Sequence, residues 1–271
     1  MRGGANNYDE SLKSGAAVLE HIDREKYDPR DIFIDRQGAW HMHGLAVPAE
    51  KALFGVDVAF NVLADHAVGR TLESLAVPHT GPDAFASGLL ADPHRFKHQA
   101  RTAGVRVAHG VLVEREDPEA LAHRLFRTFP QPARVGGLLA ENFYDFHSHL
   151  ARALDTADRV YIEEHIPGRL AQVGVIRHFR NEPLYALIPA PTDLTREQKE
   201  AVAALARTAH EALGLGHYSH LHFTVSRRGV YFAGVDAHPV LHQDSGLAAG
   251  LKAVGSSLKE FISHVLHWAR K

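Results

Sequence analysis

The stretch "HYSHLHFTVSRRGVYFAGVDA", residues 217–237, predicts a β-hairpin. Two runs rich in β-branched and aromatic residues flank a polar turn, which is the pattern of two paired strands. Side chains two positions apart on a strand point to the same face. His220 and His222 are therefore expected on one face, and Asp236 and His238 repeat the spacing on the second strand. Three interpretations are open: a metal site, a changed catalytic site, or an ordinary histidine-rich surface.

The composition limits the class of protein. The chain has 271 residues, of which 45% are hydrophobic and 23% charged, as in a globular protein. The net charge of −2 gives no basis for a nucleic-acid partner or an anionic membrane. Without cysteine, disulfides and thiolate metal sites are excluded. The first residues lack the apolar core of a signal peptide and no run reaches transmembrane length, so a cytoplasmic location is expected.

Helix-like and strand-like segments alternate along the chain, which predicts an α/β and α+β architecture. In the first third, apolar spacing predicts a helix over 11–22 and a hairpin over 31–44. The nearly continuous apolar run at 56–63 predicts a buried parallel strand. Turn residues place a domain boundary near residue 93.

The rest of the chain shows the same alternation. Strands are predicted by their apolar and β-branched runs at 106–114, 131–137, 159–166 and 169–179. Helices are predicted by their apolar stripes at 118–129, 144–157, 196–215 and 257–270. The three prolines in "PLYALIPAPTDL", residues 183–194, predict a loop.

Longer motifs carry a resemblance that covers essentially the whole chain. In chain order they are "GG", "SLKSGAAVLEHI", "DIFIDRQGAWH", "VDVAFNVL", "LESLAVPHTGPDAFASGLLADP", "VYIEEHIPGR", "AHEALGLGHYS" and "VLHQDSGLAAGLKAVGSSLKEFISHVL". This series resembles the D-alanine–D-alanine ligases. The resemblance implies an ATP-grasp fold with an N-terminal α/β domain of the preATP-grasp type. The family begins with a strand before "GG", whereas only Met1 and Arg2 precede it here. The domain is therefore expected to lack its first strand.

The same resemblance implies a domain division and a reaction. The expected units are an N-terminal substrate domain over 1–93, a central α+β domain over 94–166 and a C-terminal α+β domain over 167–271. The family uses ATP and magnesium to convert one D-alanine into an acylphosphate, which a second D-alanine attacks in peptidoglycan precursor synthesis. Nucleotide and D-alanine are thus the implied ligands, with no nucleic acid or membrane partner, and a homodimer is compatible with this interpretation.

The chemistry of the family is not carried over with its motifs. The family's arginine and aspartate on the first hairpin strand are His220 and His222 here, and its glutamate and asparagine on the second are Gly234 and Asp236. Magnesium requires oxygen ligands in a near-octahedral set, and only Asp236 supplies a carboxylate. Magnesium binding is therefore not expected from these positions, and no residue is assigned as catalytic.

The nucleotide residues are partly kept. The family's first phosphate lysine falls on Pro93, with Lys97 four residues later, and its second falls on Arg134. The Gly/Ser-rich phosphate loop is reduced to "VGGLLAEN", residues 135–142. The residues matching the adenine hinge are Glu163, Glu164 and Ile166, while the ribose glutamate is Leu170. Weak ATP binding through Arg134 and the hinge is the expectation.

On the substrate side, Ser245 matches a family residue that holds the carboxylate of the second substrate. A serine at a helix start is also a common N-cap.

Three functions follow from these observations. The first is an ATP-grasp protein that is catalytically impaired or a pseudoenzyme, and the second is an active ligase with unusual site residues. The third is a transition-metal-binding protein in which His220, His222 and Asp236 share one ion, since N,N,O ligand sets suit zinc, nickel or ferrous iron. Pro239 ends the second strand, so His238 is expected to turn away from this set.

Overall fold

A computed structural model describes residues 1–5, 7–190 and 193–271 of the chain. The described residues form three four-stranded sheets with helices packed against them. None of the helices in these ranges is both long and apolar enough to cross a lipid bilayer.

The N-terminal sheet has the order β1-β2-β3-β4, with β1 parallel to β2 and the other pairs antiparallel. Its strands are β1 (Arg2–Gly3), β2 (Ile32–Ile34), β3 (Trp40–Met42) and β4 (Leu45–Ala46). The helices of this region are α1 (Tyr8–His21), α2 (Ala49–Leu53), α3 (His66–Ser74) and α4 (Ala84–Leu90). Asp65 and Asp83 cap α3 and α4 by accepting backbone N–H groups, which fixes where each helix begins.

The central sheet has the order β5-β8-β6-β7 and is entirely antiparallel. It is preceded by helix α5 (Pro93–Thr102), which has proline at its first position and Asp92 as its cap. The other elements are β5 (Gly110–Glu114), α6 (Pro118–Thr128), β6 (Ala133–Val135), β7 (Leu138–Ala140), α7 (Phe143–Thr156) and β8 (Arg159–Glu164). Helices α6 and α7 supply one apolar core with the sheet, centred on Phe146 and Ile162.

The C-terminal sheet has the order β10-β9-β11-β12, also antiparallel. Its elements are β9 (Arg169–Arg177), β10 (Leu184–Ala186), α8 (Arg196–Ala212), β11 (Tyr218–Ser226), β12 (Gly229–Asp236), α9 (Gly246–Ala253) and α10 (Leu258–Ala269). Thr195 and Gln198 form a reciprocal capping box at the start of α8. Phe96 of α5 packs into the core of this sheet beside Phe223 and Phe232, so α5 joins the central and C-terminal units.

Three sequence predictions need correction. The sequence predicts that the first strand is missing, yet Arg2 and Gly3 form a two-residue strand that pairs in parallel with β2. The run 56–63 is buried from Ala59 to Leu63 but is not a strand, since only the Ala59–His79 bridge pairs it. A continuous apolar run indicates burial more securely than conformation. The predicted loop 183–194 contains strand β10 on the sheet edge, where Pro183 does not interrupt the ladder; residues 191 and 192 of that loop lie outside the described ranges.

Candidate functional site

The side chains of the C-terminal hairpin meet on one face, as their spacing predicts. In the β11–β12 ladder, His220 lies opposite Asp236 and His222 opposite Gly234. The His220 and His222 ring centroids are 5.3 Å apart, with the rings nearly perpendicular. The Nε2 atom of His222 lies 2.8 Å from the Oδ2 atom of Asp236. The side-chain atoms of His220, His222 and Asp236 that could ligate a metal ion all lie within 4.8 Å of one another.

The electrostatics of this group follow from its unequal burial. His220 is 8% exposed, and burial lowers its pKa to about 4, with the neighbouring His222 acting in the same direction and Asp236 opposing it. His220 is therefore neutral near pH 7 and keeps a lone pair on one ring nitrogen. Partial shielding from water raises the pKa of Asp236, but the hydrogen bond with His222 and the nearby imidazoles outweigh it, so this pKa is lowered.

His238 is directed away from the group, as the position of Pro239 predicts. Its Nε2 atom lies 3.4 Å from the Nδ2 atom of Asn61, so the Asn61 amide donates to it. The ring packs against Gly81, where a β-carbon would lie 2.9 Å from His238 Nε2. Burial lowers the pKa of His238 to about 4. This histidine links the C-terminal unit to the N-terminal region rather than completing the hairpin group.

A cavity of about 1000 Å³ lies between α5, the central sheet and α7. Its walls include Pro93, Lys97, Tyr161 and Glu163, and Ala233 of β12 also contributes. Ala233 is the extra residue of a β-bulge, because the register shifts between the pairs on either side of it. Hairpin β11–β12 thus carries the histidine group and also forms part of the cavity wall. A volume of this size accommodates a nucleotide-sized ligand.

The wall of the cavity holds an ion pair that the sequence did not reveal. The Lys97 ammonium on α5 contacts the Glu163 carboxylate on β8, and these side chains are 6% and 16% exposed. Tyr161 lies beneath the Lys97 ammonium, 5.6 Å from its ring centroid. Burial, together with the charge of Glu163, raises the pKa of Tyr161 to about 12, so its hydroxyl stays protonated. Pro93 and Lys97 are one helical turn apart, a spacing that places both on the same helix face.

The other predicted nucleotide residues have partners of their own. Arg134 donates from Nη1 to the Gly137 carbonyl oxygen at 3.1 Å. Glu164 forms an ion pair with Arg228, and Ile166 is buried in a small apolar cluster. Of the four predicted nucleotide residues, only Glu163 is among those that line the cavity. The nucleotide roles of all four stay predictions.

The residues predicted to be a shortened phosphate loop contain a tight hairpin turn between β6 and β7. Gly136 and Gly137 form it, with φ angles of 56° and 87° that side chains rarely adopt. The Gly136 amide donates to the Tyr161 carbonyl oxygen at 3.1 Å and is therefore not free for a phosphate. Both glycines line the cavity.

Ser245 is the N-cap of α9. Its Oγ accepts a hydrogen bond from the backbone N–H of Ala248 at 3.2 Å, and the residue is 7% exposed. Helix capping alone therefore explains why a serine occupies this position, and no substrate contact is needed. Its predicted substrate role stays a prediction.

Several known ligases are similar to this chain in sequence, although no family model matches it. The chain is 31% identical to the D-alanine–D-alanine ligase of Chlorobium luteolum over 218 residues, which are 61% of this chain and 60% of that protein. It is 24% identical to the vancomycin/teicoplanin A-type resistance protein VanA of Enterococcus faecium over 99% of this chain and 96% of that protein. With the D-alanine–D-alanine ligase of Geotalea uraniireducens the identity is 27%, over 94% and 89% of the two chains.

Solved structures with the same fold cover nearly the whole chain. The VanG D-Ala:D-Ser ligase of Enterococcus faecalis superposes with a TM-score of 0.83 at 20% identity, over 100% of this chain and 98% of that one. The D-alanine–D-alanine ligase of Coxiella burnetii gives 0.84 at 17% identity, over 98% and 92%. The ATP complex of the Bacillus anthracis D-alanine–D-alanine ligase gives 0.76 at 19% identity, over 100% and 98%. The chain is similar in sequence to D-alanine–D-alanine ligases and has their fold, the ATP-grasp fold.

Proposed function

We propose that this chain is a nucleotide-binding ATP-grasp protein that does not ligate D-alanine at an enzymatic rate. The observation that carries the proposal is the chemistry of one strand face. Where the resembled ligases have an arginine, an aspartate, a glutamate and an asparagine, the β11–β12 face has His220, His222, Gly234 and Asp236.

This face does not fit a magnesium ion. Magnesium takes a near-octahedral set of oxygen ligands. Asp236 supplies the one carboxylate among the four positions. Gly234 supplies no side chain. Removing a single charged group from such a site commonly costs about two to four orders of magnitude in rate, so the combined replacements are expected to abolish ordinary ligation.

The cavity supports the nucleotide part of the proposal. Its volume of about 1000 Å³ suits a nucleotide, and its walls carry the positively charged Lys97, Arg152 and Arg159 beside the acidic Asp92, Asp158 and Glu163. Lys97, one helical turn beyond Pro93, is the candidate for contact with the phosphates, and Glu163 for contact with the adenine. We expect weak affinity, because Lys97 is paired with Glu163 and the Gly136 amide is already bonded.

Two measurements on the purified protein test the proposal. Calorimetric titration with ATP and with ADP, each with and without magnesium, is expected to show weak binding that magnesium barely changes. Phosphate release in the presence of ATP, magnesium and D-alanine is expected to stay at the level without D-alanine. D-alanine-dependent release at about 1–1000 per second, the range of ordinary enzymes, would show that the protein is an active ligase.

A restored variant separates the strand face from the rest of the site. It combines the substitutions Pro93→Lys, His220→Arg, His222→Asp, Gly234→Glu and Asp236→Asn. D-alanine-dependent phosphate release by this variant, together with none by the parent, would place the defect on these positions. A variant that stays inactive would place it in the shortened loops.

The alternative is an active D-alanine–D-alanine ligase with unusual site residues, and the curated relatives favour it. Such an enzyme would act on D-alanine in cytoplasmic peptidoglycan precursor synthesis. The phosphate-release assay distinguishes the two functions directly.

A further inference from the structure

The face of hairpin β11–β12 that does not suit magnesium has the chemistry of a different kind of site. We infer that His220, His222 and Asp236 bind one divalent transition-metal ion, with zinc as the reference ion. Two imidazole nitrogens and a carboxylate oxygen form a ligand set that zinc accepts and that magnesium does not favour. The inference concerns metal binding alone and stands whether or not the cavity binds a nucleotide.

The geometry requires only side-chain movement. Zinc ligands lie about 2.0–2.1 Å from the ion, so ligand atoms around a tetrahedral ion are about 3.3 Å apart. The candidate ligand atoms are already within 4.8 Å of one another, and the His222–Asp236 pair at 2.8 Å needs only to open slightly. Strand β11 is hydrogen-bonded to β9 on one side and β12 on the other, which holds the three Cα positions. Ligands on such fixed elements are well suited to metal binding.

The His220 ring lies in a space that a glycine provides. A β-carbon on Gly246 would be 2.9 Å from His220 Cε1 and 3.3 Å from His220 Nε2. The same point is 3.3 Å from the Oε1 atom of Gln172, which comes from the strand position opposite His222. Both side chains border the same point, so a rotation of the Gln172 side chain would bring its oxygen toward the His220 ring or toward the ion. A polar partner of this kind orients a histidine ligand.

No lysine or arginine in the described ranges competes with a metal ion for the Asp236 carboxylate. Among the described residues, His222 is the only ion-pair partner of Asp236. Three protein ligands leave at least one position on the ion open, and that position suits water or an oxygen of a phosphate or carboxylate.

The test uses metal-free, tag-free protein titrated with Zn²⁺ by calorimetry and with Co²⁺ by visible absorption. The parent is expected to bind one ion tightly and to give the intense visible bands of low-coordinate cobalt. His222→Ala and Asp236→Ala are each expected to weaken binding by about 100-fold or more and to remove those bands. The matched control is the His94→Ala/His98→Ala double variant, which removes another neighbouring histidine pair, with ring centroids 6.4 Å apart. It is expected to bind like the parent.

Gly246→Ala provides a second variant that leaves every proposed ligand in place. Gly246 begins α9, where alanine is compatible with the helix. The added methyl group presses on the His220 ring, so zinc affinity is expected to fall while thermal unfolding changes little. The inference is overturned if His222→Ala and Asp236→Ala bind zinc with the affinity and stoichiometry of the parent. It is equally overturned if the His94/His98 control abolishes the tight site, or if the parent binds no zinc tighter than free imidazole does.

Discussion

Lys97 and Glu163 form an ion pair that is nearly excluded from water, although they lie 66 residues apart on a helix and a strand. The pair links α5, which packs on the C-terminal sheet through Phe96, to strand β8 of the central sheet. Because it also lines the large cavity, it connects the stability of the fold with the proposed nucleotide site.

Lys97→Met is expected to destabilise the protein by about 2–4 kcal/mol, because it leaves a buried carboxylate without its partner. Glu163→Gln is expected to cost less, since the amide oxygen still accepts from Lys97. The double variant is expected to recover much of the loss seen in Lys97→Met. Urea unfolding of all four proteins measures the coupling, and a double variant whose loss equals the sum of the single losses would show that the pair contributes no coupling.

Nucleotide affinity is expected to depend on the same lysine. Lys97→Met should weaken ADP binding by about tenfold to 100-fold, as for loss of one charge-assisted hydrogen bond, and should leave adenosine binding nearly unchanged. Arg95→Met is the matched control, since it removes an exposed positive charge from the same helix outside the cavity. Calorimetry with ADP and adenosine checks both variants, and equal losses in the two would assign the effect to net charge rather than to contact.

The strongest periodic patterns predict the fold well. The stripes of α6, α7, α8 and α10 and the alternation of the C-terminal hairpin each predict the element found, because one face of each is buried against a sheet. The run 56–63 shows the limit of such reasoning, since the continuous burial of residues 59–63 removes any periodicity that distinguishes a strand from another extended segment.

The sequence could predict the candidate site only where its residues lie close together along the chain. His220, His222 and Asp236 belong to one hairpin, so their spacing is enough to bring them together. The contact between Lys97 and Glu163 depends instead on how α5 packs between two sheets, and no local pattern encodes that. Gln172 lies opposite His222 on a third strand, and local spacing does not predict that pairing either.

Gly216→Ala is expected to destabilise the protein by about 3 kcal/mol or more. Gly216 has a φ angle of 70°, and a β-carbon there would lie 2.7 Å from the carbonyl carbon of Gly81. Backbone cannot yield as a flexible side chain can, so the C-terminal unit and the loop at Gly81 would have to separate. Gly255→Ala is the control, because Gly255 has a φ angle of 71° but no atom within 4 Å of the point where a β-carbon would lie. It should cost only about 1 kcal/mol.

The comparison separates steric conflict from backbone strain, because the two glycines share nearly the same φ angle. Chemical denaturation with urea gives both free energies of unfolding. Similar losses in the two variants would mean that the close approach to Gly81 adds nothing and that strain alone sets the cost.

His210 is expected to make stability depend on pH. It is fully buried in α8, where Nε2 donates to the Gly216 carbonyl oxygen at 3.1 Å and Nδ1 accepts from the Ser219 hydroxyl at 2.7 Å. Burial lowers its pKa to about 4; the hydrogen bond to Gly216 opposes this shift, while the charges of Arg177 and His217 add to it. A proton on Nδ1 would face the Ser219 oxygen and require that hydroxyl to reverse its role.

The direction of the effect follows from which state binds the proton. Between about pH 6.5 and pH 4 the unfolded chain binds a proton at this histidine and the folded protein does not, so stability falls as pH falls through that range. The stabilisation is fully present above about pH 6.5. At pH 5 about 2 kcal/mol of the free energy of unfolding has been lost. His210→Gln keeps a donor for Gly216 but cannot titrate, so its free energy of unfolding should fall less than that of the parent between pH 7 and pH 5. His123→Gln, an exposed histidine on α6, is the control and should follow the parent. If urea unfolding gives the same pH dependence for His210→Gln and the parent, His210 does not resist protonation in the folded protein.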